Sequence, residues 1–235
     1  MTTRVAIVGG TGKLGGVIRA VTEAEDGFEV VALLSSRDDI AEIEGADLVV
    51  DASTPAVSID VVRAAIERGI NVLVGTSGWS AERIALVRPL VESAGTGIVF
   101  VPNFSLGSVV GTALAAARSA VGPVAAAHVD QRARGQQVAS VPVHSLRRPG
   151  VVARQEVVLS GPGESLTIVH DTIDPALAYA PGIRLALAAA RDARGVHIGL
   201  DTFIDIGIRI PGLRDPGAPV AEGGVPGQVA RVTGS

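Results

Sequence analysis

Two stretches of this chain carry side chains whose types and spacing could do chemistry. The first is VGGTGKLGG at 8–16, where Gly10, Gly12 and Gly15 set out G-x-G-x-x-G with Lys13 inside it. Glycines at these intervals let a turn approach a pyrophosphate closely. If a helix begins there, its free N–H groups and positive dipole end hold the phosphates. The second is AAAHVDQRARGQQV at 125–138, where His128 stands four residues before Arg132. A histidine with an ordinary pKa of ~6.5 can deliver a proton near neutrality, and an arginine beside it can grip a carboxylate. Four residues apart, the two share a side whether the segment is helix or strand. The other role open to His128 is that of a strand-end residue bonded to backbone.

The elements around the first stretch fit its chemistry. RVAIV (4–8) reads as a buried strand, and Leu14, Val17, Ile18 and Val21 follow the glycines at helical spacing. The alternation repeats with strands at 28–34, 46–53, 70–77 and 97–103. Helices fall between them, one after Thr54-Pro55 with Pro55 at its first position and one at 80–93. Strands alternating with helices predict a Rossmann-type, doubly wound parallel sheet in an α/β protein.

After Asn103 the rhythm changes. A helix near 106–120 precedes alternating stretches at 138–148, 151–160 and 164–172, with turn signals at Pro149-Gly150 and Gly161-Pro162-Gly163. These predict a smaller α+β domain on an open mixed or antiparallel sheet. A helix at 176–191 and an apolar segment at 196–208 return to the first domain. The expected division is a nucleotide-binding domain over 1–103 with 176–210, a substrate-binding and oligomerisation domain over 104–175, and a Pro/Gly-rich tail over 211–235.

Composition narrows the class. The chain has 235 residues, 47% hydrophobic and 19% charged, enough apolar material for a real core. Its apolar runs are far shorter than a membrane span needs, and no signal peptide is evident, so a cytoplasmic protein is expected. Cysteine is absent, which excludes disulfides and thiolate chemistry, and the four histidines lack metal-ligand spacing. With net charge −4 and no basic block, nucleic acid is not an expected partner. Lys13 is the only lysine, and it sits in the loop richest in glycine.

An NAD site calls for an acidic residue about 20 residues beyond the glycine loop. Ser35-Ser36-Arg37 stands there instead. An arginine with two hydroxyls suits the 2′-phosphate of NADPH, with NADH the alternative and a solvated helix start before Asp38 and Asp39 the plain reading of Arg37.

GGTGKLGG, DASTP (51–55), VLVGTSG (72–78) and PNFSLG (102–107), in this order and spacing, resemble the dihydrodipicolinate reductase family. The resemblance covers residues 4–120 and resumes from VPVHSLRR to VHDT. It implies hydride transfer from a reduced nicotinamide to the C=N bond of a small cyclic carboxylic acid. It implies further that Gly9, Gly10, Thr11, Gly12, Lys13, Leu14 and Gly15 hold the pyrophosphate, with Lys13 beside the phosphates. Asp51, Ser53 and Thr54 match the family's D-F-T loop, with Ala52 in place of the phenylalanine, Gly75, Thr76 and Gly78, with Ser77 among them, match its G-T-T-G beside the nicotinamide, and the loop of Asn103, Phe104 and Ser105 meets the nicotinamide amide. In the family signature H-H-x-x-K-x-D-x-P-S-G-T, His128 corresponds to the first histidine, the proposed acid, and Arg132 to the lysine. Val129 replaces the second histidine, and the P-S-G-T turn that wraps a carboxylate is missing with some of the chain after it.

Three readings follow. The first is a reductase of this family acting on an imine or enamine acid with fewer carboxylates than dihydrodipicolinate. The second is the family's own reaction in lysine biosynthesis. The third is a non-catalytic NADP(H) sensor. A homo-oligomer, a tetramer by resemblance, is expected because the second sheet has nothing in the chain long enough to cover it.

Overall fold

The computed structural model describes residues 1–116, 124–130, 136–138, 141–146 and 148–204. Its first sheet has six strands, β1 (Thr3–Val8), β2 (Phe28–Leu34), β3 (Leu48–Asp51), β4 (Asn71–Val74), β5 (Gly97–Phe100) and β11 (Gly195–Ile198). Their order is β11-β5-β4-β3-β1-β2, and every pairing is parallel. Every residue of β3, β4 and β5 is buried, as continuous Val, Ile and Leu runs require when helices cover both faces. Alternate side chains feed two cores. Val49, Val72, Val74 and Ile98 pack under α2 (Ser58–Glu67) and α3 (Ala81–Ala94), while Val50, Leu73 and Val99 pack under α1 (Lys13–Glu23) and α5 (Pro175–Asp192). Because the chain leaves β1 for β2 on one side and returns to β3 on the other, the carboxyl ends of β1 and β3 flank a switch-point crevice.

The return of the chain is fixed by a buried amide. Asn71 Nδ2 donates to the carbonyls of Ala190 and Arg191 at 3.0 Å and of Ala193 at 3.2 Å, and its Oδ1 accepts from Gly97 N at 2.8 Å. One side chain thus holds the end of α5 beside β5, and β11 pairs there as the new edge.

The second sheet runs β10 (Glu164–Thr172), β9 (Ala153–Gly161), β6 (Val124–Asp130), β8 (Val141–Leu146) and β7 (Gln136–Val138). It is mixed, since β6 and β8 are parallel and the other pairings antiparallel. Helix α4 (Leu106–Ala116) lies on one face of β9 and β10. Among the described residues, no helix is long and apolar enough to cross a membrane.

Two expectations are amended and one open alternative is resolved. Pro55 precedes its helix rather than opening it, because the amides of Val57 and Ser58 bond to Thr54 O and form a turn first. The segment around His128 is strand, and the expected strand at 138–148 is divided between the end of β7 and β8. Residues 205–208 and the tail over 211–235 lie outside the described residues.

Candidate functional site

The glycine loop leaves β1 at its carboxyl end. Gly9 adopts φ +82°, a left-handed conformation costly for other residues, and the amides of Gly9 and Gly10 both donate to Leu34 O, at 2.8 and 3.2 Å. A Cβ on Gly15 would lie 2.7 Å from Gly10 Cα, and one on Gly10 2.7 Å from Leu33 Cγ. Helix, turn and strand therefore approach as only glycine permits. Helix α1 starts at Lys13 with Gly12 as N-cap, no side-chain cap and no acid in its first turn. Its first N–H groups lack intrahelical partners, and the dipole and the exposed Lys13 add positive charge.

Three further loops converge on this one. A Cβ on Gly9 would meet the backbone of Ala52, 2.6 Å from its carbonyl carbon. A Cβ on Gly75 would stand 2.9 Å from Phe104 Cε2 and 3.3 Å from Leu14 Cδ2. Thr76 Oγ1 donates to Asp51 O at 3.2 Å. Residues 9–15, 52–54, 75–77 and 103–105, named from sequence as one site, thus form a contiguous edge over the carboxyl ends of β1, β3, β4 and β5. Asp51 has a structural task beneath it. Its buried carboxylate accepts from Ser53 N at 3.0 Å, from Ser53 Oγ at 2.5 Å and from Ser58 Oγ, whose oxygen accepts in turn from Trp79 Nε1 at 2.8 Å.

At the end of β2, Ser36 and Arg37 are exposed and Ser35 is half-buried. The carboxylate of Asp38 folds back here, accepting from Ser35 N at 2.7 Å and Ser35 Oγ at 2.8 Å. Those bonds, the backbone amide first, hold its pKa below the usual carboxylate range. A carboxylate therefore does stand at this turn, three residues beyond the position that the sequence motif examines, and it is engaged by the turn itself.

The loop after β5 joins the two sheets. Asn103 Oδ1 accepts from Ser105 N at 2.8 Å, and Asn103 Nδ2 donates to Ser108 Oγ at 2.9 Å. Ser108 Oγ then donates to Gln155 Oε1 of β9 at 2.5 Å, and Ser105 Oγ lies 3.1 Å from His170 Nε2 of β10. Beside this chain opens a cavity of about 190 Å³ lined by Asn103, Ser108, Thr112, Val109, Leu200 and Asp201, among others.

His128 lies within β6, two residues before its end, in register with Ser145 of β8 and Gln155 of β9. Arg132 lies outside the described residues. Sequence reasoning missed Ser108, Gln155 and His170. The alternation of β9 and β10 implied that one face of each was covered, but only the tertiary contacts show that Gln155 arrives at Ser108 and His170 at Ser105.

The chain matches the family models described as Dihydrodipicolinate reductase, N-terminus, over residues 3–104 and Dihydrodipicolinate reductase, C-terminus, over 107–204. It is 47% identical to the 4-hydroxy-tetrahydrodipicolinate reductase of Clavibacter michiganensis, with 99% of each chain covered, and 35% identical to that of Beutenbergia cavernae, covering 88% of this chain and all of the relative. The Clavibacter alignment spans 280 positions against 235 residues here, so at least 45 positions of the relative have no counterpart. Among solved structures, the dipicolinate-bound dihydrodipicolinate reductase of a Paenisporosarcina species shares the fold at a TM-score of 0.70 and 20% identity. It is matched over its full length and 87% of this chain.

Proposed function

The chain belongs to the dihydrodipicolinate reductase family, and from that membership we propose that it transfers hydride from NADPH to the C=N bond of a small cyclic acid bearing fewer carboxylates than dihydrodipicolinate. It is a pyridine-nucleotide-dependent oxidoreductase of the C=N type. The observation that carries the reading is the contiguous edge of four loops across the switch point, ending at the cavity beside Asn103. The glycine turn, the uncapped start of α1 and Lys13 would hold the pyrophosphate. Ser35, Ser36 and Arg37 would take the ribose end, with Arg37 supplying the charge that a 2′-phosphate needs. Ala52, Ser53, Thr54, Gly75, Thr76, Ser77, Asn103, Phe104 and Ser105 would border the nicotinamide. The cofactor supplies the hydride when bound.

The acceptor reading rests on two features. The cavity presents Asn103, Ser108, Thr112 and Asp201 as its polar groups, none of them a cation that could hold a second carboxylate. The missing P-S-G-T turn would remove one carboxylate anchor, each charge-assisted bond of which is worth ~1.5 to 3 kcal/mol. In this reading His128 delivers the proton to nitrogen and Arg132 binds the remaining carboxylate. The family's own reaction in lysine biosynthesis is the second reading, favoured by the 47% identity to a relative bearing that name.

Single-turnover oxidation of NADPH with a panel of cyclic imines, dihydrodipicolinate included, decides between them. Faster turnover of a monocarboxylate supports the first, and preference for the dicarboxylate supports the second. NADPH binding without turnover of any imine would leave the non-catalytic sensor. The face of β9 and β10 opposite α4 carries exposed Val169 beside the Arg154–Asp171 ion pair. Burial of that face in a homo-oligomer, a tetramer by family resemblance, is part of the proposal, and a monomer by sedimentation at micromolar concentration would remove it.

A further inference from the structure

We propose that His170 is a positioning residue for the nicotinamide end of the cofactor. The proposal rests on the reading that the Asn103–Ser105 loop borders the nicotinamide. Three observations converge on this histidine. It sits on β10 directly opposite Gln155 of β9, which is itself opposite His128 of β6, so the three occupy one row across adjacent strands. Its Nε2 is 3.1 Å from Ser105 Oγ, and Ser105 is only 2% exposed. Finally, a Cβ on Gly107 would lie 2.6 Å from His170 Cδ2, so the ring packs closely against the first turn of α4.

The consequence is a two-point clamp. Gln155 holds Ser108 and His170 holds Ser105, while Asn103 binds both Ser105 N and Ser108 Oγ from within the loop. Asn103, Ser105 and the first turn of α4 at Ser108 are thereby fixed against two neighbouring strands of the second sheet. Phe104, held between them, is 3% exposed and packs against Gly75 of the adjoining loop. Releasing Ser105 from His170 frees the backbone that would meet the nicotinamide, but leaves the glycine turn untouched on the far side of β3 and β4. Nucleotide affinity should then fall only for ligands that carry a nicotinamide.

The test compares NADPH with 2′-phospho-ADP-ribose, which lacks the nicotinamide, by titration calorimetry on the full chain. His170→Ala is expected to weaken NADPH by roughly 5- to 10-fold, the effect of one hydrogen bond, while affinity for 2′-phospho-ADP-ribose stays unchanged. His170→Gln, which returns an amide nitrogen near the position of Nε2, should restore NADPH binding. Ser105→Ala removes only a hydroxyl and should reproduce the selective loss, so the test survives if His170→Ala does not fold. The Ser105→Ala/His170→Ala pair should be no weaker than either single variant. Equal loss of both ligands would make His170 merely structural, and unchanged NADPH affinity would remove it from the site. Wild-type protein that binds neither ligand would overturn the nucleotide-site reading together with this one.

Discussion

Gln155 of β9 stands in register with His170 of β10, and each reaches a different serine of the same short segment, Gln155 to Ser108 and His170 to Ser105. Two adjacent strands therefore fix the segment that leads from β5 into α4. Ser108 is 2% exposed, so its hydroxyl has little access to water if its acceptor is lost. Gln155→Leu is expected to lower stability by about 1 to 3 kcal/mol, the cost of leaving a buried polar group without its partner. Denaturant unfolding measures it, and an unchanged midpoint would mean that the Ser108 hydroxyl finds another acceptor.

Gly15→Ala tests the glycine turn. The added methyl would meet Gly10 Cα and the Gly9 carbonyl, so α1 must move off the turn. Overpacking of this kind costs about 1 to 3 kcal/mol. NADPH binding should fall by more than tenfold while the Gly16→Ala control, which has open space around its new methyl, retains it.

Arg37→Ala tests the choice of nicotinamide. The exposed guanidinium is free of the hydrogen bonds that Asp38 makes to Ser35. Loss of a charge-assisted contact of ~1.5 kcal/mol predicts roughly tenfold weaker NADPH with NADH unaffected. Equal losses for both would take Arg37 away from the 2′-phosphate.

The pH dependence of stability should show the Arg4–Asp47 pair. Asp47 accepts from Arg4 N at 2.8 Å and from the guanidinium at 2.9 and 3.1 Å, and the guanidinium contact is the first cause holding its pKa below the ordinary carboxylate value. A carboxylate depressed on folding stabilises above its unfolded pKa of ~3.9 and loses that contribution as pH falls through its folded value. Asp47→Asn should therefore lower Tm modestly at pH 7, the pair being half-exposed. Below both values the two proteins should melt together, and a gap that widened in acid would contradict the assignment.

His128→Ala is expected to lower turnover on the true acceptor by ~10² to 10⁴, as loss of a general acid does, with NADPH affinity unchanged. Arg132→Ala should act mainly on KM. Wild-type turnover in His128→Ala would pass proton delivery to water or to another side chain.

Much of this protein is written locally in its chain. A strand, a glycine turn and an amphipathic helix are set by residues within a few positions of one another, so β1, the turn and α1 were legible. So were the buried runs of β3 to β5, whose lack of alternation already implied helices on both faces. The loops proposed to hold the cofactor could be singled out for the same reason, since carboxyl ends of parallel strands are where such sheets bind ligands. What tertiary structure decided is non-local. The parallel pairing of β6 with β8 and the meeting of Ser105 with His170 across 65 residues depend on which strands become neighbours and in what register. A side-chain period of two says which residues share a face of one strand. It does not say which residue of another strand will stand opposite, because that is settled by strand pairing across the sheet and by the packing of β9 and β10 against α4.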